Sequence, residues 1–290
     1  MTEATPPIKV SGVPFDSRAS RRIKPGQGGL AERLGNRLHR IHPLLVSWIV
    51  ANVGAVLLAI VMIGLGFFLT KVLLRSEAVA DADAWLPRYL EDQRTPFLND
   101  VSYITSHIAD RWVLIPLVGI VVLSLALRKR WRLGSFYLQA ILAEVLTYGL
   151  VTRFIERPRP EPVEQLDVFN LLHSYPSGHV AASVAVYGSL GLLLAAHFKD
   201  IRVRIAIWTI AAGFVLVVAT SRVYRGEHHP LDVAGGVLMG IGAILVALFA
   251  ARTARRVAEL RHERHAAERA LLETPVPVPG EAPAPAEVPA

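Results

Sequence analysis

Three short segments of the chain combine histidine, arginine and aspartate in a pattern that suits phosphoryl transfer. They are residues 153–160, 175–179 and 221–232. Arginine presents forked donors that match the oxygens of a phosphate group, and histidine can act as a nucleophile or as a proton donor. Together the segments predict a site that handles phosphate with histidine chemistry in place of a metal ion.

Two of these segments contain spacings with a clear physical meaning. His228 and Asp232 are four positions apart, and Pro230 between them fits the first turn of a helix. On such a helix the two side chains lie one turn apart, and the carboxylate can fix and stabilise the imidazole. Ser177 and Gly178 fit a helix start, where backbone N–H groups favour an anion.

The elements that would position these segments are long apolar helices. The chain has 290 residues, 52% hydrophobic and 19% charged, with a net charge of +7 and no cysteine. This composition excludes a disordered chain, a disulfide-stapled secreted domain and a cysteine-bound metal site. Six apolar blocks are long enough to cross a bilayer, so an all-α polytopic membrane protein with six transmembrane helices is predicted. The blocks are residues 44–70, 112–127, 134–152, 179–197, 203–220 and 231–251, and the short second block can be extended back through Ile108.

The distribution of basic residues predicts the orientation. Most of the 31 lysines and arginines lie on one side of the six blocks, which the positive-inside rule assigns to the cytosol together with both termini. All three polar segments then share the extracytoplasmic face. The cations that run against the trend there are Arg153, Arg157, Arg159, Arg222 and Arg225. Alone, each is also explained as a helix anchor, but their coincidence on one face favours a functional site.

The composition divides the chain into three parts. Residues 1–42 predict a flexible basic cytosolic arm, and residues 43–252 predict the six-span domain. Residues 253–290 predict a charged helical extension followed by a proline-rich tail. Residues 71–111 are expected to form either an outer lid or nothing specific.

The three segments resemble the signature of the type 2 phosphatidic acid phosphatase superfamily, the integral-membrane lipid phosphate phosphatases. That signature reads Lys-x6-Arg-Pro, then Pro-Ser-Gly-His, then Ser-Arg-x5-His-x3-Asp. The second part is complete at residues 176–179 and the third at residues 221–232, and the resemblance covers about residues 44–250. It implies an active site at the outer membrane face and a reaction that uses no metal or other cofactor.

The resemblance also implies a role for individual residues. His228 would be the nucleophile that forms a phosphohistidine, and Asp232 would orient and polarise it. His179 would protonate the leaving oxygen and then activate water. The predicted phosphate-binding residues are Arg153, Arg157, Arg159, Ser177, Gly178 and Arg222.

The chain departs from the signature at one position. Thr152 stands where the family has lysine, and Arg153 is the nearest cation. Arg153 reaches the same phosphate oxygen if the third span ends in a different turn. Otherwise the site lacks one charged hydrogen bond, worth about 1.5–3 kcal/mol. His229 is expected to be a bystander or to tune the pKa of His228.

The leading hypothesis is a phosphatase of the bacterial inner membrane that hydrolyses a lipid phosphate or pyrophosphate in the bilayer. Undecaprenyl or another polyprenyl pyrophosphate is the first choice, followed by phosphatidic acid and phosphatidylglycerol phosphate. The bilayer is the expected partner, and nucleic acid is not. Two alternatives stay open: a lipid-dependent phosphotransferase on the same fold, and a catalytically weak lipid-binding or transport protein, which only Thr152 supports.

Overall fold

The computed structural model describes residues 28–167 and 173–273, which form helices and turns and contain no strand. In chain order the helices are α1 (Leu30–Arg37), α2 (Pro43–Lys71), α3 (Glu77–Asp92), α4 (Pro96–His107), α5 (Arg111–Leu127), α6 (Trp131–Val151), α7 (Gly178–Ser183), α8 (Ser189–Ala195), α9 (Ile201–Tyr224) and α10 (Pro230–Glu273). A 3-10 turn at Leu73–Arg75 follows α2, and a π-helical segment at Val184–Gly188 joins α7 to α8.

Six helical stretches of the described residues are long and apolar enough to cross a membrane. They are Pro43–Arg75, Pro96–Leu127, Trp131–Val151, Gly178–Ala195, Ile201–Tyr224 and Pro230–Leu272. The predicted all-α, six-span architecture is therefore confirmed. The second stretch begins well before Ile108, but it is broken into α4 and α5 by a turn at residues 108–110.

Small residues bring the central helices close together. Ala55 on α2, Ala143 on α6 and Ala243 on α10 share one buried cluster, and α10 packs along α2, α6 and α7. At Gly236 on α10, an added Cβ would lie 2.5 Å from the main-chain oxygen of Ser177. Close packing through small residues is how helices associate where lipid supplies no hydrophobic driving force. This contact fixes the start of α7 against the start of α10.

The two ends of the described chain pack on each other. Helix α1, which lies within the segment predicted as a flexible arm, packs against the extension of α10 through Leu34, Leu38 and Val257. Arg256 on α10 also donates from Nε to Asn36 Oδ1 at 2.9 Å. The sequence reasoning missed α1 because its apolar residues repeat over only two turns. The rest of the predicted arm, residues 1–27, and the proline-rich tail, residues 274–290, lie outside the described residues.

Helix α3 lies across the end of the bundle where α2 ends and α10 begins. Most of its surface is exposed, including the stacked rings of Trp85 and Tyr89. Asp83 and Pro87 are buried, and Asp83 Oδ1 accepts from Leu231 N at 2.9 Å. Part of the segment whose role the sequence left open thus contributes to the polar end of the bundle.

Candidate active site

The three motif segments meet at one end of the helix bundle. His228 lies in the turn between α9 and α10, and its Nδ1 is 2.8 Å from the main-chain oxygen of Ser174. A carbonyl oxygen only accepts hydrogen bonds, so the neutral ring carries its proton on Nδ1. The lone pair of Nε2 is therefore the one available for attack on phosphorus.

The surroundings of His228 keep its ring uncharged. Burial lowers the pKa of His228 well below its ordinary value, and the charges of Arg222 and Arg159 lower this pKa further against the opposing effect of Asp232. A neutral imidazole is the nucleophilic form. The charges of Arg222, Arg159 and Asp232 therefore all act on the His228 ring.

Asp232 lies near His228, but the two side chains form no hydrogen bond. The distance from Asp232 Oδ2 to His228 Nδ1 is 4.0 Å. Asp232 Oδ2 instead accepts from the Ser174 hydroxyl, from His229 N at 2.8 Å and from His229 Nδ1 at 3.2 Å. Pro230 begins α10 as predicted and His228 precedes the helix, and the two side chains approach to 4.0 Å. Ser174 links the two residues, because its hydroxyl donates to Asp232 and its main-chain oxygen accepts from His228.

The Arg157 guanidinium lies between two buried carboxylates. Its guanidinium donates to Asp232 Oδ1 and to Asp83 Oδ2, and all three side chains are buried. The structure thus places Arg157, predicted as a phosphate-binding residue, in an ion-pair network that joins α3 to α10. That network holds Asp232 in place.

Arg159 and Arg222 hold a different carboxylate. Glu227 is fully buried, with its Oε2 bonded to Arg159 Nη1 and 3.5 Å from Arg222 Nη2. Burial raises the pKa of Glu227, and the charges of Arg222 and Arg159 counteract this only in part. A carboxylate between two arginines has the charge and the oxygen geometry of a phosphate substitute.

Asp167 pairs with two arginines of the third motif segment, Arg222 and Arg225. It accepts from Arg222 Nη1 at 2.6 Å and from Arg225 Nε at 2.8 Å. Burial would raise the pKa of Asp167, but the hydrogen bond from Arg225 and the charges of Arg222 and Arg225 lower it overall. Asp167 is therefore held as an anion beside the motif arginines.

Two buried donors beside these groups have no hydrogen-bond partner among the described residues. They are Ser177 Oγ and Arg222 Nε. Buried donors are rarely left unpaired, because each one loses its hydrogen bonds to water without replacement. Their position in the Pro-Ser-Gly-His and Ser-Arg segments suits a ligand that supplies oxygen acceptors.

Comparison with known proteins agrees with the site. The sequence profile of the PAP2 superfamily matches residues 133–256, which hold all three motif segments. This part of the chain, which is less than half of its length, is similar to the PAP2 superfamily. PAP2 is the same superfamily as the type 2 phosphatidic acid phosphatases that the motifs resemble.

Named PAP2 relatives come from bacteria and archaea. The chain is 29% identical over 181 residues to a phosphatidylglycerophosphatase B of Bacillus subtilis strain 168, covering 60% of this chain and 86% of the relative. It is 30% identical over 152 residues to an undecaprenyl-diphosphatase of Sulfolobus acidocaldarius, covering 49% of this chain and 66% of the relative.

A solved PAP2 structure shares the fold. It is the transmembrane PAP2-type phosphatidylglycerolphosphate phosphatase from Bacillus subtilis, which is 28% identical to this chain. The match covers 64% of this chain and 92% of that one, with a TM-score of 0.57.

Neither Thr152 nor Arg153 places a buried cation where the PAP2 signature has lysine. Thr152 donates from Oγ1 to Tyr148 O at 3.0 Å within its own helix end. The Arg153 side chain is exposed and makes no hydrogen bond or ion pair with the part of the chain that the structure describes. Gly178 begins α7 against the ring of Tyr148, where an added Cβ would lie 2.8 Å from a ring carbon.

Sequence reasoning missed five polar residues of this site. They are Asp83, Asp110, Asp167, Ser174 and Glu227. Glu227 precedes His228 inside a recognised segment, which was the only available signal. Among the described residues, the site included, no group of three or more histidine, aspartate or glutamate side chains is placed to hold a metal ion.

Proposed function

We propose that this protein hydrolyses a lipid phosphate or pyrophosphate through a phosphohistidine on His228, without a metal ion. The match to the PAP2 superfamily and the named phosphatase relatives support a phosphatase of the lipid phosphate class. The observation that carries the proposal is the pair of unpartnered buried donors, Ser177 Oγ and Arg222 Nε, beside a buried neutral histidine.

In the proposed first step, His228 Nε2 attacks phosphorus and the bond from phosphorus to the lipid oxygen breaks. His179 gives a proton to that leaving oxygen, so the lipid departs as an alcohol or, from a pyrophosphate, as a monophosphate. In the second step, His179 takes a proton from water, whose oxygen attacks phosphorus and breaks the bond to His228. Inorganic phosphate leaves, and both histidines return to their starting states.

The incoming phosphate must compete with Glu227. We propose that it replaces the Glu227 carboxylate between Arg159 and Arg222, where two guanidinium groups already converge on oxygen. There it also accepts from Ser177 Oγ and Arg222 Nε. Exchange of one carboxylate for a phosphate retains the paired charges, so no arginine is left buried and unpaired.

The substrate is proposed to lie in the bilayer and to present its phosphate at the extracytoplasmic face. Polyprenyl pyrophosphate is the first candidate, supported by the relative named as an undecaprenyl-diphosphatase. Phosphatidylglycerol phosphate has comparable support from the phosphatidylglycerophosphatase relative, and phosphatidic acid follows. Both termini are proposed to be cytosolic on the basis of the basic residues.

The test is phosphate release from a panel of these lipids by purified protein in detergent with EDTA. Wild type should release phosphate from at least one lipid, and His228→Ala should lose about 10³-fold or more of the rate. His262→Ala is the matched control, because His262 is exposed on the extension of α10. Equal rates for wild type and His228→Ala, or complete loss of activity in EDTA, would contradict the proposal.

A further inference from the structure

Asp110 contacts His179 from outside the three motif segments. Its Oδ1 lies 3.2 Å from His179 Nε2, and its Oδ2 lies 3.5 Å from His107 Nε2. Asp110 belongs to the turn between α4 and α5, in the middle of the second span by sequence. No motif marked this residue, yet it bridges a motif histidine and a more exposed one.

The turn that carries Asp110 is fixed in place. The Asp110 main-chain oxygen accepts from Val113 N and Leu114 N at the start of α5. The Tyr187 hydroxyl donates to Ile108 O at 2.8 Å, and Ala109 is buried against α7 and α9. Because the surrounding structure already determines the position of this turn, the turn needs little reorganisation during catalysis.

We propose that Asp110 is the positioning residue of His179. Its carboxylate accepts the Nε2–H of His179, which sets the orientation of the ring and stabilises the charged imidazolium. Nδ1–H is then the proton that passes to the leaving oxygen. This inference rests on the proposed phosphatase mechanism and adds to it the group that prepares His179 as an acid.

The inference predicts an effect that depends on the leaving group. A lipid alkoxide is a poor leaving group and needs a proton from His179, whereas p-nitrophenolate leaves readily without one. Asp110→Asn should therefore lower kcat/KM for dioctanoyl phosphatidic acid by about 10- to 100-fold and change kcat/KM for p-nitrophenyl phosphate by less than about threefold, because kcat/KM reports only the steps up to loss of the leaving group. The inhibition constant of inorganic phosphate should stay near the wild-type value, since Asp110 is not proposed to touch phosphate.

Two comparisons separate positioning from a structural role. Asp100→Asn, on the exposed side of α4, should leave both rates unchanged. In a His179→Ala background, Asp110→Asn should cause no further loss, because the two residues act as one unit. Equal losses on both substrates, or a full additional loss in the His179→Ala background, would overturn the inference.

A measurement without turnover completes the test. The ¹⁵N resonances of the His179 ring should show a protonated Nε2 in wild type and a shifted tautomer or charge balance in Asp110→Asn. Unchanged resonances would also overturn the inference. Failure of the phosphatase mechanism has a different signature, because His228→Ala would then retain activity on both substrates.

Discussion

His228 Nδ1 lies 2.8 Å from the main-chain oxygen of Ser174, while the nearest oxygen of Asp232 is 4.0 Å away. The proton of the neutral ring is thus held by a carbonyl, and Asp232 reaches this arrangement through the Ser174 hydroxyl and His229. A carbonyl cannot take the proton away, so this contact fixes the tautomer that leaves Nε2 free to attack. The carboxylate contributes by holding Ser174 and by its charge.

The pH dependence of His228 follows from its surroundings. Its pKa is lowered by burial and by Arg222, so the ring should stay neutral as pH falls through the ordinary histidine value of about 6.5. Protonation, and with it loss of the nucleophile, should occur only at lower pH. Because a substrate phosphate also titrates near pH 6, the His228 ring should be followed directly by NMR, with a histidine-containing model peptide as the reference. Titration of His228 at or above the midpoint of the peptide would refute this prediction.

Arg157 and Arg153 should differ in what their removal does. Arg157→Ala leaves Asp83 and Asp232 buried without their cation, so the free energy of unfolding should fall by about 3–5 kcal/mol. Arg153→Ala should change stability by less than about 0.5 kcal/mol, because Arg153 is exposed. Denaturation in detergent measures both. Comparable stability of the two variants would mean that the buried network is not the main role of Arg157.

Glu227→Gln should strengthen phosphate binding. The substitution keeps an oxygen acceptor for Arg159 but removes the negative charge that competes with phosphate. We expect the inhibition constant of inorganic phosphate to fall about tenfold, equivalent to about 1.4 kcal/mol. Glu164→Gln is the control, because the Glu164 side chain is 79% exposed. If Glu227→Gln weakens phosphate inhibition, the two arginines do not exchange one anion for another.

Ser177→Ala should lower activity without lowering stability. Ser177 Oγ is buried and has no partner among the described residues, while its main-chain N still donates to Asp232 O at 3.0 Å in the variant. Loss of one hydrogen bond to a charged phosphate should reduce kcat/KM by about 10- to 100-fold. Ser189→Ala, a buried serine on α8, should leave kcat/KM unchanged. A large drop in stability with unchanged kcat/KM would assign Ser177 to the fold instead.

The sequence was sufficient for the features that follow from local patterns. Six apolar blocks predicted the six spans, and motif spacing predicted His179, His228 and Arg222 as site residues. The carboxylates of Asp83 and Asp110, which pair with Arg157 and His179, were not predictable in this way. Asp83 comes from α3 and Asp110 from the break between α4 and α5, so each reaches the site only through tertiary packing.

The spacing of four positions did not predict how Asp232 lies relative to His228. Four positions imply a shared helix face only when both residues are helical, and His228 lies in the turn before Pro230. The turn is formed by Gly226, whose φ of +76° places it in the left-handed region. An added Cβ there would also lie 2.6 Å from Glu164 O, so glycine is required for both reasons.

The central claim is the covalent phosphohistidine, and the most direct measurement is its capture. Wild-type protein turning over a ³²P-labelled lipid phosphate should be quenched in alkali, since a phosphohistidine survives base and is lost in acid. Base-stable, acid-labile label is expected on the peptide that contains His228, with none in His228→Ala. Turnover without protein-bound label, or label on another residue that persists in His228→Ala, would contradict the proposed mechanism.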